Sequence, residues 1–253
     1  MGLLKVDEKL TIGKIVVMEG ESLELLRGRA GRVGDLVTIR DQLGRDFRGR
    51  VVQLTRRHGA ALIFEPLAAS VEPPIEIHLI QALPKKERLE WIIQKATELG
   101  VSSIMPCVSD HSITPQERDA SQKKSHRWQA VATKAAQQSR RARVPVVYPV
   151  SLFSEVLEIA GASHLNLILW EKESSEGMKH VLATLKDPVR NLTLAVGPEG
   201  GFSIGEIELA RMRGFVSIGL GERILRTETA AIAAITIIQY ELGDLGGMIK
   251  GQG

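Results

Sequence analysis

One cysteine, Cys107, stands in 253 residues. A single thiol excludes an intrachain disulfide framework and suits a reducing cytoplasm. With no histidine cluster beside it, it also leaves a zinc site without ligands, so no metal is expected. Cys107 reads as a small buried hydrophobe. The first ten residues carry Lys5, Asp7, Glu8 and Lys9 where a secretory signal would be apolar. Val6 occupies the position that N-myristoylation reserves for Ser or Thr. The longest apolar run, residues 230–238, is too short to cross a bilayer and reads as part of a buried helix. No membrane association is therefore expected, and the localisation that follows is cytoplasmic. Internal repeats and low-complexity stretches are lacking as well.

Two further absences concern nucleotides. The block LAVGPEGGFS (194–203) joins an apolar run to a Gly-bearing turn, but Gly200-Gly201 is followed by Phe202. A phosphate-cradling loop would place Lys and then Ser or Thr there. The block LGERILRTETAAIAA (220–234) contributes Gly219-x-Gly221-x-x-Ile224, so the third glycine of a dinucleotide fingerprint is missing. What remains is a pair of strand–turn–helix blocks, which is how α/β proteins build ligand sites at the carboxyl ends of strands.

The bulk composition is ordinary for a chain with a substantial core: 43% hydrophobic, 25% charged and a formal net charge of +3. The distribution of charge is less ordinary. Residues 27–57 carry nine arginines against Asp35, Asp41 and Asp46, and residues 118–143 carry eight Lys or Arg against Asp119 alone. The remainder of the chain is net acidic. Segregation of this kind fits a polyanionic partner, because phosphate contacts supply most of the affinity for nucleic acid.

Periodicity divides the chain in two. In residues 1–72, short runs at 14–18, 36–40, 47–54 and 61–64 are separated by turn signals such as Glu19-Gly20, Leu43-Gly44 and His58-Gly59, which predicts a small β-barrel. Pro73-Pro74 is a natural linker. Residues 73–253 alternate apolar runs (75–82, 101–105, 144–147, 165–170, 192–196, 215–220) with helical patterns, the signature of a mainly parallel α/β sheet. Leu89, Ile92, Ile93, Ala96 and Leu99 share one face of a helix expected over 85–99. Ser203-x-x-Glu206 is a capping box. The last helix is expected over 227–242, buried in the core or at a subunit interface.

The wording of the two Gly-bearing blocks, together with LPKKERLEWIIQKATELGV (83–101) and RWQAVATKAAQQSRRARVP (127–145), resembles the RsmE-type ribosomal RNA methyltransferases of the SPOUT superfamily. The resemblance covers most of residues 78–242. It implies a fold class of α/β type: a small N-terminal PUA-like, RNA-binding β-barrel (1–72), then a SPOUT-type α/β domain (73–253) with a C-terminal trefoil knot. It implies S-adenosylmethionine (SAM) as cofactor, methylation of N3 of a uridine in 16S rRNA, the naked rRNA or small ribosomal subunit as partner, and a homodimer. Cofactor-binding roles carry over to Gly197, Gly200, Leu220, Gly221, Ile224 and Leu225. Catalysis is expected of Arg226, as oxyanion or phosphate partner, and of Glu199 or Glu228 as base. Arg226 is expected to pair with one of those carboxylates. RNA contacts are expected at Arg27, Arg29, Arg127 and Arg141. Trp128 is either an RNA-stacking residue or, as favoured, part of a packed helix face. His111 and Lys134 depart from the family's usual residues. Another RNA base, tRNA, or a role as a non-catalytic RNA-binding factor stay open as alternatives.

Overall fold

The computed structural model describes residues 4–30, 32–67, 72–84, 88–113, 115–122, 125–160, 163–173 and 177–246. The chain forms two compact units: Met1–Glu72 with Ala132–Pro145, and Pro73–Val131 with Val146–Gly253. The expected boundary after residue 72 differs from this partition in residues 132–145, which join the first unit.

The first unit is built on four antiparallel strands, β1 (Ile15–Met18), β2 (Leu36–Arg40), β3 (Asp46–Leu54) and β4 (Gly59–Pro66), in the order β1-β4-β3-β2. Alternation sends Val16, Met18, Val37, Ile39, Val51, Ala61 and Ile63 to one face, where they form a core with Leu4, Leu10, Leu26 and Phe47. Two register shifts interrupt the ladder between β3 and β4: opposite Arg48 and Gly49 the extra residue is Phe64 of β4, and between Val51 and Gln53 it is Val52 of β3. Such bulges increase local twist. A helix, α1 (Gly20–Arg29), follows β1 where the sequence predicted only a turn. Its tertiary context explains the difference. Leu23 and Leu26 are buried, and a Cβ on Gly59 would collide with Leu26 Cδ2, so a residue without a side chain lets the helix lie close to β4.

The second unit carries a seven-stranded sheet whose ladders are all parallel. It comprises β5 (Glu76–Ala82), β6 (Ser103–Val108), β7 (Val146–Val147), β8 (Ser151–Leu152), β9 (Leu165–Leu169), β10 (Asn191–Val196) and β11 (Val216–Ile218). The path is β11-β9-β10-β5-β6-β7, with β8 also on β6. Among the described residues, six helices accompany it within the unit: α2 (Arg88–Glu98), α3 (Pro115–Gln122), α5 (Phe153–Ala160), α6 (Met178–Ala183), α7 (Ile204–Met212) and α8 (Thr227–Glu241). A further helix, α4 (Ser125–Gln138), begins in this unit and ends in the first. Residues 85–87 of the helix predicted over 85–99 lie outside the described residues. The apolar face of α2 is as expected: Leu89, Ile92, Ile93 and Ala96 are buried. Helix α8 buries Ala231, Ala234, Ile235 and Ile238, but Ile237 and Tyr240 are exposed, 37% and 63% respectively. Gln239 Nε2 donates to the Leu99 carbonyl at 2.9 Å, fastening the end of α8 to the end of α2. Among the described residues, no helix is long and apolar enough to cross a membrane.

Candidate cofactor and active site

Three neighbouring strands, β11, β9 and β10, end on the same side of the sheet, and the segments leaving them enclose a cavity of about 260 Å³. Leu169, Trp170 and Glu171 enter from β9, Val196 to Gly201 from β10, and Ile218 with Leu220 to Leu225 from β11. This is the place where open parallel sheets hold ligands, because strand ends and the following turns leave backbone groups free to face a cleft. Gly197, Gly200, Leu220, Gly221, Ile224 and Leu225, the six residues expected at a cofactor, all line it. Ile224 does so from the rim, at 88% exposure.

The turn after β10 is made by close backbone approach. A Cβ on Gly197 would stand 3.2 Å from the Gly201 carbonyl carbon and the Phe202 nitrogen. Gly201 has φ +69°, and the Glu171 carboxylate occupies the space a side chain there would need, 2.8 Å from the Cβ position. Behind the turn, Phe202 stacks on Phe153 with ring centroids 4.6 Å apart. Ser203 caps α7, its hydroxyl accepting from Glu206 N–H while Glu206 accepts from Ser203 N–H. The same Glu206 accepts from Asp110 N–H at 2.9 Å, and Ser203 Oγ donates to Asp110 at 2.6 Å. His111 follows on that turn. Its Nδ1 lies 3.1 Å from the Gly201 carbonyl, and its Cβ is 2.9 Å from where a Gly200 side chain would begin.

A buried hydrogen-bond chain fixes the entrance of α8. Gln81 Nε2, at the end of β5, donates to Thr227 Oγ1 at 3.0 Å, and Thr227 Oγ1 donates to the Gly197 carbonyl at 2.6 Å. Thr227 thus joins two strand ends; the N-cap is Arg226, whose side chain makes no capping bond. The expected pairing of Arg226 with Glu199 or Glu228 is overturned. Arg226 is exposed and makes no ion pair among the described residues. Arg88 takes that place: its Nη1 is 3.5 Å from Glu199 and 3.2 Å from Glu228. A guanidinium at the first position of α2 reaches both carboxylates, which a side chain facing solvent from the N-cap does not. Arg88 was hidden within a helical pattern. Trp170 and Glu171 were also missed, although they follow an apolar strand just as the two selected blocks do.

Two of the four arginines expected to meet RNA are inside the protein. Arg29 is 5% exposed and Arg141 7%. Burial pulls the Arg29 guanidinium down to about 10; Glu72 opposes this, whereas Arg143 and Arg141 add to it. Arg141 donates to Glu72 at 2.7 Å. Both are buried within the first unit, so neither presents an open guanidinium at the surface. Arg27 is partly exposed and pairs with Glu24, and Arg127 is exposed and lies 3.3 Å from Glu90. Trp128 is 3% exposed, which removes it as a stacking surface. Cys107 is fully buried, and burial raises its thiol pKa, first by desolvation and then through Glu206. It is no nucleophile.

Fold and cavity together define an α/β protein with a cofactor-sized cleft at the carboxyl ends of parallel strands. Residues 71–239 match the RNA methyltransferase domain family. The chain is 32% identical over 217 residues to ribosomal RNA small subunit methyltransferase E of Bacillus subtilis, covering 85% of each. It is 34% identical over 239 residues to the protein of that name from Mycobacterium bovis, covering 92% of this chain and 89% of that one. The crystal structure of the Neisseria gonorrhoeae methyltransferase E bound to S-adenosyl methionine superposes with a TM-score of 0.68 at 32% identity, covering 95% and 98% of the two chains. The chain belongs to the ribosomal RNA small subunit methyltransferase E family.

Proposed function

We propose that this protein methylates N3 of a uridine in the 16S rRNA of the small ribosomal subunit, with SAM as methyl donor. The observation that carries the reading is the cleft at the ends of β9, β10 and β11. It has apolar walls at Val196, Ile218, Leu220 and Leu225, and glycine backbone at Gly197, Gly200 and Gly221. That combination fits an adenosyl group, whose flat base needs apolar contact and whose edge needs backbone donors and acceptors. Methyltransferase E relatives and a SAM-bound structural neighbour support it. When bound, SAM supplies an activated methyl group on a sulfonium, so no metal is required for activation.

The chain must then handle a proton. Uridine N3 is protonated at neutral pH, and attack requires either a base or stabilisation of charge developing on the flanking carbonyls. Glu199 lines the cavity, and Glu228 sits in the first turn of α8. We assign the base to this pair, with Arg88 fixing their positions. Arg226, exposed at the N-cap beside the cavity, is the candidate partner for an oxyanion or RNA phosphate. The N–H groups at the start of α8 favour the same charge.

Further parts of the reading rest on less. We take the first unit as a PUA-like RNA-binding barrel, supported by its antiparallel strands, and the segment from β11 into α8 as the family's trefoil knot. Exposed Ile237 and Tyr240 on α8 support a homodimer. A cytoplasmic location follows from the proposed substrate.

The test is methyl transfer from labelled SAM to unmodified small ribosomal subunits and to naked 16S rRNA, followed by nucleoside mass spectrometry. N3-methyluridine is the expected product. A different methylated nucleoside would overturn the target, and no transfer to either substrate, despite SAM binding, would overturn the substrate class.

A further inference from the structure

A charged cluster stands just behind the cavity wall, on the side of α7. Arg211 is the basic residue in the last turn of that helix, and it lies outside the lining of the cavity. A cation there complements the helix dipole, a role that needs no particular partner. Arg211 nevertheless has three. Its Nη2 donates to Glu173 at 2.9 Å and to Ser217 Oγ at 2.6 Å, and its Nε donates to the same hydroxyl at 3.2 Å. Ser217 Oγ in turn donates to Glu173 at 2.7 Å. The third partner is aromatic: the guanidinium carbon lies 5.6 Å from the centre of the Trp170 ring, within the range of cation–π attraction.

Two of these partners, Trp170 and Glu173, are the ends of one turn. Glu173 N–H donates to the Trp170 carbonyl at 3.1 Å, which places Glu171 and Lys172 at the turn's centre. The turn is fastened to the sheet at its start, because Trp170 N–H donates to the Ile218 carbonyl of β11 at 3.0 Å. Trp170 and Glu171 both line the cavity, and the Glu171 carboxylate fills the space beside Gly201. One guanidinium thus holds both ends of the turn that carries the β9 side of the cavity wall. The indole needs that support. Its Nε1 is buried and has no hydrogen-bond partner among the described residues, whereas a buried Trp N–H ordinarily finds one. The ring is kept in place by packing against the core and by Arg211, with no polar bond of its own to fix it. The Glu173 side chain is 9% exposed and Arg211 47%. At the latter exposure the ion pair adds little to global stability, so what the cluster contributes is geometry.

We propose that Arg211 is a positioning residue for the cofactor. From outside the cavity it sets the placement of Trp170 and Glu171, and through them the affinity for SAM, without touching the reacting groups. The proposal rests on the SAM-dependent reading of the cavity given above.

The test combines calorimetric titration of the full chain with SAM and steady-state methyl transfer to small ribosomal subunits. Arg211→Ala should raise the Kd and KM for SAM about tenfold, as residues without ligand contact can do, and leave kcat at saturating SAM unchanged. Arg211→Lys keeps a charge beside Glu173 but lacks the planar face for the indole, so it should recover only part of the affinity. It also carries the test should Arg211→Ala not fold. Arg213→Ala breaks the neighbouring pair with Glu158 and should bind SAM as the wild type does. In a chain already carrying Trp170→Leu and Glu173→Gln, which removes both attachments of the turn, Arg211→Ala should cost little more. Unchanged affinity in both Arg211 variants would overturn the proposal. So would an equal loss in Arg213→Ala, a fall in kcat with KM unmoved, or a loss in the triple variant as large as in the otherwise wild-type chain. A wild-type protein that does not bind SAM defeats the cofactor reading itself, whereas binding by the wild type with unaffected variants defeats the positioning role alone.

Discussion

Arg88 is the residue on which the proposed chemistry turns. It is a single cation between two carboxylates from different segments, Glu199 after β10 and Glu228 at the start of α8. Its side chain is about one-third exposed at 32%, so its Coulomb contribution to stability is small. Its contribution to position is larger, because misplacement of about 1 Å at a reacting group costs on the order of 10²-fold in rate. Arg88→Ala is expected to lower methyl transfer by about that factor with the fold intact. Arg88→Lys should recover only part of it, since an ammonium lacks the planar fork that spans two partners. If Arg88 acts through Glu228, then adding Arg88→Ala to Glu228→Gln will cost much less than it does in the wild type. Losses that simply multiply would show that Arg88 acts on its own, by contact with RNA or cofactor.

Among the elements, α7 shows how local and distant information combine at the site. Its capping box could be read from Ser203 and Glu206 alone, because the spacing satisfies two otherwise unpaired N–H groups within one turn. The third bond, from Asp110 N–H to Glu206, joins residues far apart in sequence and has no local signature. Glu206→Ala therefore removes more than a cap: it leaves two backbone donors without their acceptor, at a cost of about 2 kcal/mol. Chemical denaturation should report that loss, together with weaker SAM binding as the Gly197–Gly201 turn loosens. The same contrast explains what was legible elsewhere. The strands of the parallel sheet and the face of α2 follow from periodicity. Helix α1 does not, because its formation depends on Leu23 and Leu26 meeting the sheet beside Gly59. The cavity walls after β10 and β11 were readable from glycines in apolar context. Trp170 and Glu171 after β9 carry no glycine and escaped notice, as did Arg88, whose two partners lie over a hundred residues away.

Strand β5 gives the pH dependence at this scale. His78 sits half-buried with Nδ1 2.8 Å from Ser103 Oγ on β6, and burial lowers its pKa from the ordinary 6.5 despite an opposing effect of Glu76. The folded protein then holds His78 neutral where the unfolded chain binds a proton. Its contribution is fully present above about pH 6.5 and is lost as pH falls from there through the lower folded-state value. His78→Gln should flatten that part of the stability profile, as measured by denaturation midpoints across the acidic range. An unchanged slope would assign the acid sensitivity to other groups.

Across the whole molecule, the division into two units is not a division of the chain at one point. Residues 132–145 return to complete the unit begun by residues 1–72. The physical tie is Glu72, which accepts from Arg141 Nη2 at 2.7 Å and from Arg143 N–H at 2.8 Å. Within the same unit, the Gln137 side-chain amide donates to the Arg29 carbonyl. The Arg141 and Glu72 side chains are only 3% and 10% exposed, so the pair is a buried one, and losing one charge of such a pair is costly. Glu72→Gln is expected to destabilise the first unit by about 3–5 kcal/mol, the usual cost of breaking a buried ion pair. The Arg29 guanidinium, already lowered by burial, would lose the opposing effect of Glu72 as well. Because SAM is expected to bind the second unit alone, saturating cofactor should raise the unfolding transition of that unit by mass action and leave the transition weakened by Glu72→Gln where it is. A fragment of residues 1–72, which carries Glu72 without either arginine, should fail to reach the stability this unit has in the full chain. If it unfolds at the same denaturant concentration, the returning segment contributes nothing and the first 72 residues are an independent domain.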